Sequence, residues 1–469
     1  MKTWVFLVLS IYFQALWGKP SQSFFQSRSV DDASVVVQRV SDGHTLYQSK
    51  ADQLMTPASV TKLMTTAALL ELLGPNRKFE TEFFYTGQLR AGVVHGDLFI
   101  RGGGDPQLVS ENLWQIAADI HHKGIRRFTG KIVIDNDRFQ NDSHDESRRS
   151  GLKKSEHAWD APISAFGVNF NTVAIAVSPG ESVGKKAVVH LDPYPSQAVE
   201  IRNHVLTSRR KTQLKVWRES LKNGRSRLHV RGHVAVGHRL KKFYRSVHDP
   251  VQTSGEFVRS FFQKSGVIIE GPVLAGRVPS TAHALYKHTS KELGSLVKSL
   301  NLHSSNYIAD VLISNLGFIV AKDSSKGVKV VEDFLRHRVG IASKVQLDDG
   351  SGLSVKNQLS SNQIVQVLRY MSKKPEIFPE YLASLPASAR SGTLKDRFLE
   401  REEGKIRAKT GTLTEPDVVS SLAGYFQHPR HGLVAFAVLQ KGSKGSRSQA
   451  LVNLRKIQDT GLRELMTYL

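Results

Sequence analysis

Hydrophobic residues recur at helical spacing along residues 57–74, and this pattern predicts a helix there. Leu63, Ala67 and Leu70 fall three or four positions apart, which places them on one face of an α-helix. The stretch opens on a proline and closes on a glycine, residue types that are typical of the first turn and of the end of a helix. The other elements are predicted around this helix.

Two strands are predicted just ahead of the helix. Residues 33–40 are rich in β-branched side chains, and residues 44–48 follow as a second strand. The intervening Ser-Asp-Gly, residues 41–43, is a turn signal. The two strands are therefore expected to form a hairpin.

Between about residues 79 and 285 the chain changes to short β-like runs separated by turns. The runs are residues 93–100, 130–135, 172–177, 187–191, 227–236 and 267–273. Helical periodicity is sparse here, and residues 112–122 are one place where it occurs. The region is predicted to be a mostly β insertion made of two subdomains.

Helical periodicity returns after residue 290. The predicted helices are residues 292–302, 306–320, 326–339 and 361–373, and a last amphipathic helix covers residues 448–468. Between them, residues 405–410, 418–426 and 433–440 predict three strands, whose spacing fits an antiparallel meander.

Length and cysteine content exclude several kinds of site. The chain has 469 residues, enough for two or three domains with a large core, and 40% of the residues are hydrophobic. It contains no cysteine, which excludes disulfides, cysteine–zinc sites and cysteine nucleophiles. No histidine pair has the spacing of a metal site, and the glycines of residues 101–106 lack the ending of a phosphate-binding loop, so they are expected to form a turn.

The chain is strongly basic, with 65 Lys and Arg against 42 Asp and Glu, a net charge of +23. Such a charge favours contact with an anionic partner, either nucleic acid or a polymer of the cell envelope. Residues 208–245 are especially rich in Lys and Arg, and Glu219 is their only acid. This segment is either a solvated face or a patch that docks an anionic wall polymer, and the sequence leaves both open.

The first residues resemble an export signal. A short basic start is followed by an uncharged, mostly apolar run over residues 3–17, which is too short for a comfortable membrane span. We expect residues 1–18 to be a signal peptide, cleaved after Gly18, and the mature protein to be periplasmic or otherwise in the cell envelope. An exported protein does not meet chromosomal DNA, so nucleic acid is not expected as a partner.

Ser59 and Lys62 carry candidate chemistry on the first predicted helix. They are three residues apart, so their side chains share one helical face. A serine hydroxyl becomes a good nucleophile when a neighbouring base takes its proton, and a lysine is such a base when burial and nearby positive charge lower its pKa. Alone, the Ser-x-x-Lys pattern is common, and it also fits an ordinary helix.

Two further motifs make the pattern specific. Ser304 and Asn306 form Ser-x-Asn between two predicted helices, and residues 409–411 form Lys-Thr-Gly at the end of a predicted strand. The order Ser-x-x-Lys, Ser-x-Asn, Lys-Thr-Gly resembles the penicillin-recognising acyl-serine enzymes, which are penicillin-binding proteins and serine β-lactamases.

The long separation of Ser59 from Ser304 narrows the resemblance. With the β-rich insertion and the export signal, the chain is similar to the low-molecular-mass class C penicillin-binding proteins of the penicillin-binding protein 4 type, which are D-alanyl-D-alanine carboxypeptidases and endopeptidases. Further stretches that resemble this family are residues 102–108, 306–310, 349–354 and 391–394. The resemblance covers the chain from about Ala33 onward and is loose in residues 208–245.

The resemblance implies an α/β (α+β) fold. A penicillin-binding transpeptidase or β-lactamase-like domain, an antiparallel sheet flanked by helices, is expected to comprise residues 19–80 and 286–469. The large mostly-β insertion is expected to cover residues 81–285, with a basic subdomain at about 178–250.

The family also implies the catalytic roles. Ser59 attacks the carbonyl between two D-residues and becomes acylated, and Lys62 takes its proton. Lys409 helps to keep Lys62 neutral by its charge. Ser304 relays the proton to the leaving amine, and Asn306 holds Lys62 and the substrate amide. No cofactor or metal is required.

Binding roles follow in the same way. The backbone N–H groups of Ser59 and Thr412 are expected to form the oxyanion hole. Lys409, Thr410 and Thr412 are suited to the terminal carboxylate of the substrate, and Gly411, without a side chain, would leave room for substrate against the strand. The expected partners are peptidoglycan peptides, with β-lactams as covalent inhibitors.

Two alternatives remain from the sequence. A β-lactamase shares the three motifs but adds a carboxylate or tyrosine base for fast deacylation, and no such residue is evident. The other alternative is a catalytically inactive protein that binds the cell wall through the insertion and does not become acylated. Residues 349–352 are expected to form a structural turn beside the site rather than to take part in the reaction.

Overall fold

The computed structural model describes residues 24–25, 27–139, 155–399, 402–443 and 445–469. The predicted signal peptide, residues 1–18, lies outside the described residues. Among the helices of the described ranges, none combines the length and the apolar character that crossing a membrane demands.

Helices and strands follow the chain in this order. The α-helices of the described residues are α1 (Lys62–Leu73), α2 (Ser110–His122), α3 (Pro250–Lys264), α4 (Leu293–His303), α5 (Asn306–Leu316), α6 (Gly327–His337), α7 (Ser361–Ser372), α8 (Phe378–Ser384) and α9 (Arg447–Tyr468). The strands are β1 (Asp32–Arg39), β2 (Thr45–Ser49), β3 (Glu80–Tyr85), β4 (Gln88–Arg90), β5 (Val93–His95), β6 (Leu98–Arg101), β7 (Arg127–Phe128), β8 (Ile132–Asp135), β9 (Thr172–Ser178), β10 (Val188–Asp192), β11 (Val199–Ser208), β12 (Gln213–Ser220), β13 (Ser226–Ala235), β14 (Lys241–Ser246), β15 (Ile268–Ile269), β16 (Val273–Ala275), β17 (His283–Thr289), β18 (Ile406–Leu413), β19 (Val418–His428) and β20 (Gly432–Gly442).

One five-stranded antiparallel sheet joins the two ends of the described chain. Its strand order is β18-β19-β20-β1-β2, so the predicted hairpin and the predicted meander are both confirmed and lie side by side. Val35, Val36 and Val37 are all fully buried, which means that both faces of the sheet are covered.

Helices cover the two faces of this sheet and form two separate cores. On one face, α1 and α4 to α8 pack in a large cluster against sheet residues such as Tyr425 and Leu439. On the other face, Leu462 and Leu465 of α9 pack against Val434 and its neighbours. The central helix α1 is enclosed on all sides, because every residue from Lys62 to Leu70 is buried.

The middle of the chain forms four sheets of three to five strands around a core of its own. The strand orders are β16-β8-β6-β3-β17, β15-β7-β5-β4, β10-β9-β14 and β11-β13-β12. Helices α2 and α3 contribute Ile116, Phe257 and Phe262 to the shared core. We propose that the catalytic domain comprises residues 19–80 and 286–469 and that the insertion comprises residues 81–285.

Two predicted strand runs in this region were wrong, and one helix was missed. The run 93–100 is two strands in different sheets, interrupted by Gly96 and Asp97, and the run 267–273 is likewise divided before Pro272. Helix α3 was not predicted, although Asp249 caps it by accepting a hydrogen bond from the Gln252 backbone N–H at 3.0 Å.

Candidate active site

Ser59 lies on a tight turn that leads into α1. The turn is a 3₁₀ helix over Ala58–Thr61, and the Thr61 hydroxyl donates a hydrogen bond to the carbonyl oxygen of Ala58 at 2.8 Å. Ala58 has a φ of 50°, a left-handed conformation that costs energy for any residue with a side chain. Ser59 itself is only partly buried, whereas Ala58, Val60 and Thr61 around it are buried.

The Lys62 side chain lies directly behind Ser59. Lys62 is fully buried, and its Nζ lies 3.0 Å from Ser59 Oγ and 2.8 Å from Asn306 Oδ1. Its third contact is the carbonyl oxygen of Ser351. Two of these partners can only accept hydrogen bonds from Lys62, whereas a serine hydroxyl can also donate. A neutral Lys62 amine could therefore keep its two N–H groups on the amide and the carbonyl while its lone pair faces the Ser59 hydroxyl.

The loop that supplies the Ser351 carbonyl is held rigidly by a buried aspartate. The Asp349 carboxylate accepts hydrogen bonds from the backbone N–H of Gly352 at 2.6 Å, that of Ser354 at 2.7 Å and the Asn357 amide at 2.9 Å. A Cβ on Gly352, whose φ is 77°, would lie 2.0 Å from the carbonyl oxygen of Ala58. The loop thus lies against the turn that carries the nucleophile. The sequence predicted a turn here but did not reveal that its backbone would contact Lys62.

Ser304 and Asn306 lie at the junction of α4 and α5. Ser304 ends α4 with a φ of 53°, again left-handed, and Asn306 begins α5. Helix capping, the ordinary structural use of such residues, falls to Ser305, whose Oγ accepts from the Ile308 backbone N–H at 3.3 Å. The Ser304 hydroxyl instead accepts a hydrogen bond from Lys409 Nζ at 2.8 Å.

Lys409 approaches from β18 as the second buried lysine. Its Nζ donates to Ser304 Oγ and to the Thr410 carbonyl oxygen, each at 2.8 Å, and the residue is fully buried. Burial, and secondarily the nearby charge of Lys62, hold the pKa of Lys409 well below its ordinary value. Because this repulsion acts on both members of the pair, the state with two protonated lysines is disfavoured.

The residues that follow Lys409 line the outer side of the site. Thr410 Oγ1 donates to Thr393 Oγ1 at 2.7 Å, and Thr412 Oγ1 accepts from an Arg455 N–H at 3.1 Å. Thr393 and Arg455 were not among the predicted site residues. Thr393 belongs to the stretch 391–394 that resembles the family, but its contact with Thr410 was not predicted, and the position of Arg455 follows from the packing of α9 near β18.

Gly411 lies in close contact with the turn that carries Ser59. A Cβ at this position would lie 2.6 Å from the carbonyl oxygen of Pro57 and 3.1 Å from the Cβ of Ala58. The missing side chain therefore lets β18 lie against this turn, and the expected room for substrate along the strand stays a prediction. A glycine is needed here for the close approach of two backbones.

A cleft of about 920 Å³ opens beside Ser304 and Asn306. Its far wall comes from the middle of the chain and includes Trp159, Lys242 and Tyr244. The Asn306 amide donates to the carbonyl oxygen of Trp159 at 3.2 Å, so this wall contacts the catalytic cluster directly. Trp159 is 49% exposed. No pattern in the sequence predicted this position of Trp159.

Comparisons with known proteins identify relatives across nearly the whole chain. The sequence profile of the D-Ala-D-Ala carboxypeptidase 3 (S13) family matches residues 24–460. A D-alanyl-D-alanine carboxypeptidase of Actinomadura sp. (strain R39) is 30% identical over 88% of this chain and 78% of that protein. The D-alanyl-D-alanine carboxypeptidase DacB of Haemophilus influenzae is 24% identical over 87% of this chain and 85% of its own.

Solved structures confirm the predicted fold class. The crystal structure of penicillin binding protein 4 from Haemophilus influenzae superposes with a TM-score of 0.77 over 95% of this chain and 98% of that one, at 24% identity. The same protein complexed with a β-lactam superposes with a TM-score of 0.72 over 91% and 95% of the two chains. A predatory peptidoglycan endopeptidase of Bdellovibrio bacteriovorus gives 0.54 over 92% of each chain, at 15% identity. The resemblance read from the motifs is thereby confirmed, and the chain belongs to the D-Ala-D-Ala carboxypeptidase 3 (S13) family of serine peptidases.

Proposed function

We propose that this family member is a serine DD-peptidase that becomes acylated on Ser59 by peptidoglycan stem peptides. The observation that carries the proposal is the placement of Lys62 Nζ 3.0 Å from Ser59 Oγ, with Asn306 and the Ser351 carbonyl as its other partners. This geometry orients a buried amine toward the hydroxyl that must lose a proton.

Acylation proceeds in two stages in this proposal. Ser59 Oγ attacks the carbonyl carbon of the penultimate D-residue and transfers its proton to the Lys62 amine, which gives a tetrahedral oxyanion. The carbon–nitrogen bond of the peptide then breaks, and the proton that Lys62 accepted passes through the Ser304 hydroxyl to the leaving amine. The hydrogen bond from Lys409 to Ser304 connects the second lysine to this relay.

The oxyanion is proposed to bind the backbone N–H groups of Ser59 and Thr412. The close approach of β18 to the Ser59 turn at Gly411 supports this assignment, because it brings the two backbones together. Donors fixed in position before the reaction stabilise the developing charge most effectively.

The terminal carboxylate of the substrate is proposed to bind along β18. Lys409 supplies positive charge from below the strand, and the hydroxyls of Thr410 and Thr412 face the outer side, with Arg455 beside Thr412. A β-lactam would place its own carboxylate at the same position and acylate Ser59 in the same way. Water then hydrolyses the acyl-enzyme, without a cofactor.

We further propose that the enzyme removes terminal D-alanine and also cuts cross-links between stem peptides, and that it does so after export to the cell envelope. Both reactions break the bond that follows a D-alanyl carbonyl, so one acyl-enzyme serves both. The volume of the cleft beyond Asn306 supports the second activity, since a cross-linked substrate carries a bulkier leaving group and a longer peptide.

The test uses purified muropeptides. The mature protein is incubated separately with a pentapeptide monomer and with a cross-linked dimer, and the products are identified by mass spectrometry. We expect free D-alanine from the first and monomers from the second. Ser59→Ala should yield neither product, whereas Ser182→Ala, which alters an exposed serine remote from the site, should behave as the wild type. Release of D-alanine with intact dimers would restrict the proposal to carboxypeptidase activity.

A further inference from the structure

The three-stranded sheet β11-β13-β12 has one buried face and one solvent face. Val205, Leu228, Val230 and Val234 are fully buried and belong to the core of the middle region. Side chains alternate between faces along a strand, so the intervening residues share the opposite side. Directly paired residues of neighbouring strands also share a face, and the register therefore defines the solvent face row by row.

The row at one end of this face has two acids and one base. Arg227 of β13 lies between Glu200 of β11 and Glu219 of β12, and its guanidinium contacts their carboxylates at 2.9 Å and 3.3 Å. In the next row, Trp217 is stacked on His229, with ring centroids 4.8 Å apart and planes 4° from parallel. Arg202 in that row is neutralised by Glu200 at 2.5 Å.

The following row contains no acid. Lys215 pairs directly with Arg231 across the strands, and His204 is on the other side of Arg231. Like charges that face each other across a sheet destabilise it. Among the described residues, neither Lys215 nor Arg231 forms an ion pair with a carboxylate, and the Lys215 ammonium lies 5.6 Å from the Trp217 ring centroid instead.

More cations continue the surface beyond this row. The loop from β11 to β12 passes the end of β13, where the Ala235 backbone N–H donates to Thr212 Oγ1 at 3.0 Å. Arg209, Arg210 and Lys211 lie in this loop and are all exposed. We call the five cations of the loop and the acid-free row, namely Arg209, Arg210, Lys211, Lys215 and Arg231, the basic sheet face.

We propose that the basic sheet face binds a linear polyanion of the cell envelope whose repeating units carry phosphodiester groups. Each exposed cation contributes little alone, so appreciable affinity requires a partner that contacts several at once. Guanidinium groups suit phosphate oxygens because they donate paired hydrogen bonds. Such a partner also relieves the repulsion between Lys215 and Arg231, because its negative charges lie close to both side chains.

The surface suits a polymer better than a lipid bilayer. Trp217, the large aromatic side chain among these rows, is committed to its stack with His229 and is partly buried. A surface that inserts into a membrane presents large apolar side chains alongside its cations. The same solvent face exposes Leu206, which is 50% accessible and pairs with His233. The basic sheet face sets five long cations against this aliphatic side chain, and they attract phosphates over a distance set by the salt concentration.

Binding is tested with end-labelled poly(glycerol phosphate), titrated at low and at physiological salt and followed by fluorescence anisotropy. The variant Lys215→Gln, Arg231→Gln, Arg210→Gln should bind roughly tenfold or more weakly. Its logarithmic salt dependence should be shallower by about two, because three contacts are lost. The control variant removes the same charge from Lys123, Lys373 and Lys456, which are exposed elsewhere, and should bind within about twofold of the wild type.

Three results would overturn the proposal. An equal loss in both variants would mean that total charge, not this face, attracts the polymer. If the wild-type protein does not bind the polymer at physiological salt, the polymer is not a partner of the basic sheet face. Stronger, face-dependent binding to phosphatidylglycerol vesicles than to the polymer would assign the surface to a membrane. Acylation by penicillin shows whether each variant is folded. Because Ser59 plays no part in polymer binding, failure of this proposal would leave the proposed enzymatic function untouched, and the reverse also holds.

Discussion

At the scale of single residues, the site depends on two lysines that are both withdrawn from water. Lys62 is positioned by Asn306 and the Ser351 carbonyl, and Lys409 by Ser304 and the Thr410 carbonyl. Burying an ammonium group is costly, and a second one nearby increases the cost. The protein therefore keeps an arrangement that lowers its stability in order to hold a proton acceptor beside the nucleophile.

Replacement of Lys409 tests this cost. The pKa of Lys409 is lowered in the folded protein, so between that value and the ordinary lysine pKa of about 10.4 the unfolded chain binds more protons. The contribution of Lys409 to folding stability consequently rises with pH between these two pKa values. Below the lowered pKa of the folded state, Lys409 destabilises the protein to its full extent. We expect Lys409→Met to raise the free energy of unfolding by about 1–2 kcal/mol at pH 7. This gain over the wild type should disappear as the pH approaches 10.

The measurement is the thermal unfolding midpoint of wild type and variant across this pH range, with the exposed Lys298→Met as control. A Lys409→Met protein that is less stable at pH 7, by an amount that does not change with pH, would show that the hydrogen bonds of Lys409 outweigh its desolvation. Acylation should fall in Lys409→Met in either case, because the carboxylate of the β-lactam loses its cation.

At the scale of elements, the sequence predicted what local patterns encode. The hairpin β1–β2, helix α1 and the meander β18–β20 each carry their own periodicity and turn signals. Helix α3 and the separation of β5 from β6 were missed, since parallel pairing of β6 with β8 is decided by distant residues. The Ser351 carbonyl was also missed, because every residue has a carbonyl and only the fold shows which one faces a lysine.

Gly411 shows why motif residues can be found before their roles. The sequence predicted its importance, and only the contact with Pro57 gave the reason. We expect Gly411→Ala to push β18 away from the Ser59 turn, destabilise the protein by about 1–3 kcal/mol and slow acylation. Gly294→Ala is the matched control, because the nearest atom to its Cβ would be a flexible side-chain atom at 3.3 Å.

The comparison uses unfolding midpoints and acylation rates with benzylpenicillin. Equal rates for Gly411→Ala and the wild type would mean that β18 can move without disturbing the site. In that event the close approach of the two backbones would not be what positions the oxyanion donors.

At the scale of the whole molecule, catalysis and charge are segregated. The nucleophile, both lysines and the Ser-x-Asn junction lie between the antiparallel sheet and its helices, whereas much of the excess positive charge lies on the middle region. The cleft joins the two parts, with Asn306 on one wall and Trp159 on the other. Ser59, Lys62 and Lys409 do not line the cleft, which reaches the catalytic cluster through Ser304 and Asn306. We infer that a wall polymer held by the middle region would be kept near this cluster.

The most direct test of the account is the intact mass of the mature protein after incubation with benzylpenicillin, followed by peptide mapping. We expect one stable adduct per chain on Ser59, none on Ser59→Ala and a normal adduct on Ser182→Ala. An adduct on Ser59→Ala would contradict the assigned nucleophile. An unmodified wild-type protein would contradict the proposed acyl-enzyme, pointing to a β-lactamase if the penicillin is destroyed and to an inactive wall-binding protein if it survives.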